Sequence, residues 1–195
     1  MVPQARLLSG LVLAGGRSSR MGREKALIDF EGQPLVLRVA DRLARAADPI
    51  LLATGNPGRL GPVGYREVAD VSAECGPLGG LVAGLEASPH ELVAVVAVDM
   101  PYVSPELLKF LASLRQGEDA VVPMGATGLE PLHAVYSTSA LPAMRNALAD
   151  GRYGLRQLLS DLRVREVRAS EWSPSTIDPR FAFNINRPED LDVEV

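Results

Sequence analysis

The segment Leu13-Ala14-Gly15-Gly16-Arg17-Ser18-Ser19-Arg20-Met21-Gly22-Arg23-Glu24-Lys25 runs from an apolar stretch into two glycines and then four cations within nine positions. Glycine permits positive φ and lets backbone N–H groups come close to an anion. Arg20 and Lys25 add permanent positive charge, which suits a triphosphate. The spacing is not that of the better-known phosphate loops. Gly15-Gly16 does not fit GxGxxG, and Gly16 and Gly22 stand one residue too far apart for GxxxxGK[ST], with Arg23 next. On spacing alone, a tight strand-to-helix turn with a solvated basic loop fits as well as a phosphate site.

A second feature is the carboxylate in Val93-Ala94-Val95-Val96-Ala97-Val98-Asp99-Met100-Pro101. Asp99 stands where a continuous apolar strand surfaces, and Pro101 ends the strand. Mg²⁺ takes one or two carboxylates and completes its shell with water and substrate phosphates, a task for which Asp99 is suited. An Asp that caps the following turn reads the same way. Asp70, after Glu67-Val68-Ala69, is a second carboxylate with the same ambiguity. The two histidines, His90 and His133, lie far apart, and there is no HExxH, GxSxG or pair of carboxylates on one helix. His133 is as readily structural as catalytic. Phosphoryl-type transfer, which needs positioning, a metal and positive charge, fits this inventory best.

These residues need a frame. The 195 residues suffice for one α/β domain, and 47% hydrophobic with 23% charged residues is ordinary for a globular chain. A net charge of −4 gives no general attraction for nucleic acid. Cys75 is the only cysteine, so no disulfide forms within the chain, and a reducing, cytoplasmic setting is expected. Leu7–Gly16 has the composition of a signal-peptide core, but the cations that follow and the lack of a small–x–small site favour a buried parallel strand. No run approaches a membrane span in length. The patterning predicts strands at Leu8–Leu13, Pro49–Thr54, Leu92–Val98, Ala120–Pro123, Leu132–Tyr136 and Val164–Arg168, plus a short one ending at Ala69. Helices are expected over Pro34–Ala47, Leu78–Ser88, Ser139–Asp150 and Gly154–Leu162, and one with Ser104 as N-cap and Pro105 in its first turn. Glu171–Pro179 reads as an irregular loop, and Phe183–Leu191 as an Asn-Ile-Asn turn into a helix. The expected architecture is a single-domain α/β fold, a mostly parallel sheet flanked by helices. Residues from about 1 to 103 would form a nucleotide-binding half and those from about 104 to 195 an acceptor-binding half.

Five segments in order, LAGGRSSRMGREKALI (Leu13–Ile28), ECGPLGGLVAGL (Glu74–Leu85), VDMPYV (Val98–Val103), EPLHAVY (Glu130–Tyr136) and FNINRPEDL (Phe183–Leu191), resemble the molybdenum cofactor guanylyltransferase family. The resemblance implies a Rossmann-like, glycosyltransferase-A-like nucleotidyltransferase fold. The implied reaction joins GMP from GTP to the terminal phosphate of molybdenum-bound molybdopterin, with Mg²⁺ as cofactor and pyrophosphate released. By position it implies that Leu13, Ala14 and Gly15, with Gly16, line the guanine pocket through their backbone. Lys25 and Arg20 would neutralise phosphate charge, and Asp99 would hold the metal. Asn56 and Asp70 would contact the nucleoside, Gly79 and Gly80 would admit the nucleotide backbone-close, and Asn184 and Asn186 would lie near the acceptor. Glu24 stands where the family has Asp, and nothing is assigned to it. Proteins that supply or accept the cofactor are partners the resemblance implies, and neither nucleic acid nor membrane is expected.

The cytidylyltransferase branch has Leu-Ala-Ala-Gly in the first loop and Asp at the positions of Asn184 and Asn186, so the guanylyl branch is favoured. Sugar-phosphate and phospholactate nucleotidyltransferases would lack the FNIN segment. From other classes, a non-catalytic carrier of GTP or the pterin would lack a metal ligand or phosphate cation, and a Rossmann oxidoreductase fails on the GxGxxG spacing.

Overall fold

Six consecutive buried residues, Leu8–Leu13, form β1. They alternate between two apolar layers: Leu8 and Val12 join one, Leu11 and Leu13 the other, as the two-residue period of a strand requires. A strand covered on both faces reads as an unbroken apolar run, which is why this stretch mimics a signal-peptide core in composition. The computed structural model describes residues 7–15, 24–71, 75–172 and 177–191.

After a 3-10 turn at Lys25–Leu27 comes a small hairpin of β2 (Asp29–Phe30) and β3 (Gln33–Pro34). Its turn residues, Glu31 and Gly32, have φ of 53° and 84°, the double positive φ of a type I′ turn. Then follow α1 (Leu35–Leu43), β4 (Ile50–Gly55), β5 (Arg66–Ala69), α2 (Gly76–Ala87), β6 (Leu92–Ala97) and α3 (Pro105–Leu114). The second half holds β7 (Ala120–Gly125), β8 (Gly128–Leu129), β9 (His133–Ser137), α4 (Leu141–Ala149), α5 (Leu155–Leu158) and β10 (Val164–Val167).

One eight-stranded sheet runs β10-β7-β9-β6-β1-β4-β5, with β8 paired to β7. β6, β1, β4 and β5 are mutually parallel, as are β10 and β7. β9 runs antiparallel to both neighbours, β6 and β7. The α/β class and the mostly parallel sheet are therefore as expected, and the strand order is the new information. α1, α3 and the segment around Ile177, Phe181 and Ile185 cover one face, and α2, α4 and α5 cover the other. α2 lies very close to the sheet, because a Cβ on Gly84 would come within 2.2 Å of Leu11 Cδ2. Among the described residues, no helix is long and apolar enough to cross a membrane.

Several expected boundaries shift. The helix predicted over Pro34–Ala47 stops at Leu43, where Ala44–Ala46 form a turn. The helices predicted over Ser139–Asp150 and Gly154–Leu162 shorten to α4 and α5, flanked by 3-10 turns at Thr138–Ala140 and Leu159–Asp161. The terminal helix is a single 3-10 turn, Pro188–Leu191. The Asp190 carboxylate there accepts the N–H groups of Asn186 and Arg187 at 2.7 and 2.8 Å, closing the chain locally. Ser104 does cap α3, accepting the Leu107 N–H at 3.3 Å.

His133, the first residue of β9, is fully buried, and its ring meets Phe181 edge-on at 5.1 Å. Neither ring nitrogen makes a hydrogen bond of good geometry among the described residues, although the Ser104 backbone is close enough to act on the ring. Burial therefore holds the imidazole neutral, lowering its pKa to about 3; the Arg42 charge adds to the shift and the Ser104 backbone opposes it. An unfolded histidine takes up its proton near pH 6.5. Between those values the unfolded chain binds a proton that the folded one refuses, so stability is full above pH 6.5 and falls as the pH drops. In urea unfolding, His133→Leu is expected to lose about 2 kcal/mol less than the parent between pH 7.5 and pH 5. Equal losses in the two proteins would show that His133 titrates normally.

Candidate functional site

Parallel register brings the carboxyl ends of β6, β1, β4 and β5 to one edge of the sheet. Leu13 of β1 lies opposite Ala97 of β6 and Ala53 of β4. Beyond the strands, the Val98 N–H donates to Leu13 O at 3.1 Å, and the Ala14 N–H donates to Ala53 O at 2.8 Å. Asp99 and Gly15 thus leave the sheet side by side. This is the crevice at which open α/β sheets take ligands.

Lys25 reaches Asp99 across this edge. Its Nζ donates to Asp99 Oδ2 at 2.8 Å, with the two side chains 16% and 22% exposed. The other oxygen, Asp99 Oδ1, is buried and has no hydrogen-bond partner among the described residues. A buried anionic oxygen needs a partner, and a cation is the strongest kind. No group of three or more His, Cys, Asp and Glu suited to a metal occurs among the described residues. Asp99 Oδ1 is a hard oxygen donor of the kind with which a divalent cation such as Mg²⁺ would fit, its shell otherwise filled by water and phosphate oxygens.

The C-terminal segment docks on the same point. The buried Ile185 donates its N–H to Asp99 O at 2.9 Å. That bond sets Asn186 beside Lys25, whose Nζ donates to Asn186 Oδ1 at 3.4 Å. Asn184 is turned back, its Nδ2 donating to Ala182 O at 2.9 Å.

On the other side of Gly15 stands Asp70, just past β5. Its Oδ1 accepts the Gly55 N–H at 3.2 Å. Burial raises its carboxyl above the ordinary range, opposed by the Gly55 bond and by the Arg59 charge. Gly15 and Gly80 make room for it: a Cβ on Gly15 would lie 2.9 Å from Asp70 Oδ2, and one on Gly80 3.2 Å from Oδ1. Gly80 also lacks space on its sheet side, where a Cβ would meet Ala53 Cβ at 3.0 Å. Gly79 is buried in the first turn of α2. Asn56 is exposed, directly after Gly55, whose φ is 78°.

Thus Leu13, Ala14, Gly15, Lys25, Asp70, Gly80, Asp99 and Asn186 meet at one edge, while Asn56 and Asn184 flank it with their side chains directed elsewhere or outward. Gly16 and Arg20 lie outside the described residues. Arg59 went unnoticed in the sequence. Its Nη2 donates to Ala14 O at 2.8 Å, its Nε to Thr54 O at 3.1 Å, and its Nη1 to Glu24 Oε2. The signal for it was weak: one arginine in a glycine-rich loop, ATGNPGRL. Glu130, on the β7 side, opens the EPLHAVY segment, and nothing in its spacing assigns it a role. It is half-buried against Gly125, where a Cβ would fall 2.6 Å from Oε1. Burial raises its carboxyl, and Arg156 opposes the shift.

A family model described as "MobA-like NTP transferase domain" matches residues 10–167. A protein named "Probable molybdenum cofactor guanylyltransferase" from Pelotomaculum thermopropionicum is 35% identical over 184 residues, covering 94% of this chain and 89% of that protein. One of the same name from Thermococcus gammatolerans is 36% identical, covering 93% of this chain and 96% of that protein. The crystal structure of molybdopterin-guanine dinucleotide biosynthesis protein A from Archaeoglobus fulgidus superposes with a TM-score of 0.81 at 26% identity, covering 94% of each chain.

The crowding at Gly15 is testable. Gly15→Ala is expected to push the Asp70 carboxylate off the Gly55 N–H and weaken nucleotide binding roughly tenfold, the scale of one charge-assisted hydrogen bond. Calorimetric titration with a nucleoside triphosphate measures it, and unchanged affinity would remove Asp70 from the site.

Proposed function

Because the chain belongs to the MobA-like NTP transferase domain family, we propose that this nucleotidyltransferase moves GMP from GTP to the terminal phosphate of molybdenum-bound molybdopterin. The observation that carries the reading is the meeting of Lys25 and Asp99 at 2.8 Å, with Asp99 Oδ1 left for a cation. A phosphate cation and a metal carboxylate at one strand edge are what a reaction made of positioning and charge requires.

An oxygen of the acceptor's terminal phosphate attacks the α-phosphorus of GTP. The bond from that phosphorus to the bridging oxygen breaks, and its electron pair leaves with pyrophosphate. No covalent intermediate with the protein is needed. Asp99 would hold Mg²⁺ through Oδ1, while Oδ2 keeps Lys25 in place. Bound there, the ion would offset negative charge that develops on the phosphates. Lys25 and Arg20 stabilise the departing pyrophosphate.

The base lies over Leu13, Ala14, Gly15 and Gly16, with Gly79 and Gly80 behind. Asp70 supports the choice of guanine, because an ionised carboxylate accepts the N1–H and exocyclic amine that guanine presents together. Asn56 contacts the nucleoside from the β4 side. Asn184 and Asn186 border the acceptor. In this division residues up to about 103 serve the nucleotide and those from about 104 the acceptor. The reaction belongs in the cytoplasm, with cofactor-handling maturation proteins as neighbours.

The test is pyrophosphate release from purified protein with Mg²⁺ and molybdenum-bound molybdopterin, offered GTP, CTP, ATP and UTP in turn. GTP alone is expected to support release, and omission of metal or pterin to abolish it. CTP acting in its place would move the chain to the cytidylyl branch. Asp99→Ala is expected to lower turnover roughly 100-fold or more, the scale of removing a fixed charge-stabilising group, and Glu24→Ala to lower it less. Near-normal release by the Asp99 variant would sink the metal assignment.

A further inference from the structure

We infer that Arg59 and Glu24 form a positioning clamp that sets the distance between the base-binding ledge and the phosphate-binding lysine. The inference rests on the nucleotide reading above and names residues to which that reading gives no part.

Each nitrogen of the Arg59 guanidinium has a different partner on a different segment. Nη2 holds Ala14 O at the end of β1, Nε holds Thr54 O at the end of β4, and Nη1 holds Glu24, the residue before Lys25. The planar fork makes these three directions interdependent. Arg59 is therefore the link between the carbonyl next to Gly15 and the turn that carries Lys25. Its charge also acts on Asp70, whose carboxyl it pulls against the effect of burial. Both side chains of the pair are largely covered, 27% and 29% exposed, so the contact is less screened than a surface pair.

The loop that carries Arg59 is itself fixed. Glu67 Oε2 accepts the Thr54 hydroxyl at 2.8 Å and the Gly58 N–H at 3.0 Å. Gly55, Gly58 and Gly61 take φ of 78°, 84° and 72°, so the chain doubles back tightly and presents Arg59 to β1. Asn56 O accepts the Arg59 N–H at 3.3 Å, which ties the nucleoside-side asparagine to the same unit. The length of Glu24 has a purpose here: its carboxylate reaches Arg59 from the residue just before Lys25. Neither Arg59 nor Glu24 touches reacting atoms in this account; they act through Ala14 and Lys25.

A clamp of this kind governs how well both ends of the nucleotide are met at once. Arg59→Ala, Arg59→Lys and Glu24→Gln are each expected to raise the KM for GTP and its calorimetric dissociation constant in the presence of Mg²⁺ by roughly tenfold. The KM for the pterin acceptor should stay within about twofold, and the Glu24→Gln/Arg59→Ala double variant should be no worse than Arg59→Ala alone. A merely structural residue would raise both KM values and lower thermal stability together. Should Arg59→Ala not fold, Arg59→Lys and Glu24→Gln carry the test. Parent protein that binds GTP alongside variants within twofold of it would overturn the clamp and leave the nucleotide reading standing. So would additive losses in the double variant, or equal rises in both KM values. Parent protein that binds no GTP would overturn the nucleotide reading and the clamp with it.

Discussion

The contact between Lys25 and Asp99 depends on everything around it, and the site depends on the contact. Two opposite charges, each about four-fifths covered, meet at the end of two adjacent parallel strands. Neither would be cheap to bury alone, since an unpaired charge loses its hydration without return. The parallel pairing of β1 with β6 puts Asp99 next to the chain that leaves β1, and the 3-10 turn at Lys25–Leu27 returns the lysine to it. The C-terminal segment adds a third anchor, because the Ile185 N–H bonds the Asp99 carbonyl and so fixes the backbone that bears the carboxylate. A change in the register of β1 against β6 would separate these groups, and every apolar side chain of β1 would change face with it.

The Asp70 side of the edge is made by subtraction. Gly15 and Gly80 leave the volume in which Asp70 sits, and Gly84 lets α2 lie against Leu11. α2 is therefore rich in small residues for packing as well as for access. These roles are joined, because the helix comes this close to the sheet only where Gly80 and Gly84 stand against Leu13 and Leu11. Burial and the Gly55 N–H act on the Asp70 carboxyl in opposite senses, and burial is the larger. Such a carboxylate is held in place by the fold before any ligand arrives, which lowers the entropic cost of meeting one.

Much of this was legible along the chain. Leu92–Ala97 is apolar throughout, and Leu8–Leu13 is so but for Ser9 and Gly10, because both runs are covered on both faces, and their ends carry the glycines and the carboxylate that mark the edge. The cap at Ser104 was legible too. The reversed direction of β9 was not, since an antiparallel strand buried on both faces has the same composition as a parallel one. The two short strands β2 and β3 were missed because two residues give no period to read. Helix ends such as Leu43 were overrun because alanines continue the pattern without continuing the helix. Arg59 was out of reach for another reason: its partners, Ala14, Thr54 and Glu24, are brought to it by strand pairing and a loop with three left-handed glycines. A network of bonds to backbone carbonyls leaves no spacing in the sequence.

The reversal of β9 brings to this edge a stretch of chain that precedes a strand. In a wholly parallel sheet, only residues that follow strands arrive there. Because β9 runs the other way, the residues that precede it, Glu130 to Leu132, arrive instead. The Leu132 carbonyl accepts the Ala97 N–H at 3.1 Å, and the Glu130 N–H donates to Pro123 O at 3.0 Å, pinning this stretch between the ends of β6 and β7. The half-buried Glu130 and the charge of Arg156 that acts on it are thereby held on the side of Asp99 away from Asp70. One reversed strand thus lets two halves of unlike pattern present polar groups to a single line, with Asp99 between them. In the proposed reaction, donor and acceptor would come to Asp99 from these two sides, and holding both in place is the larger part of what such a transfer asks of the protein.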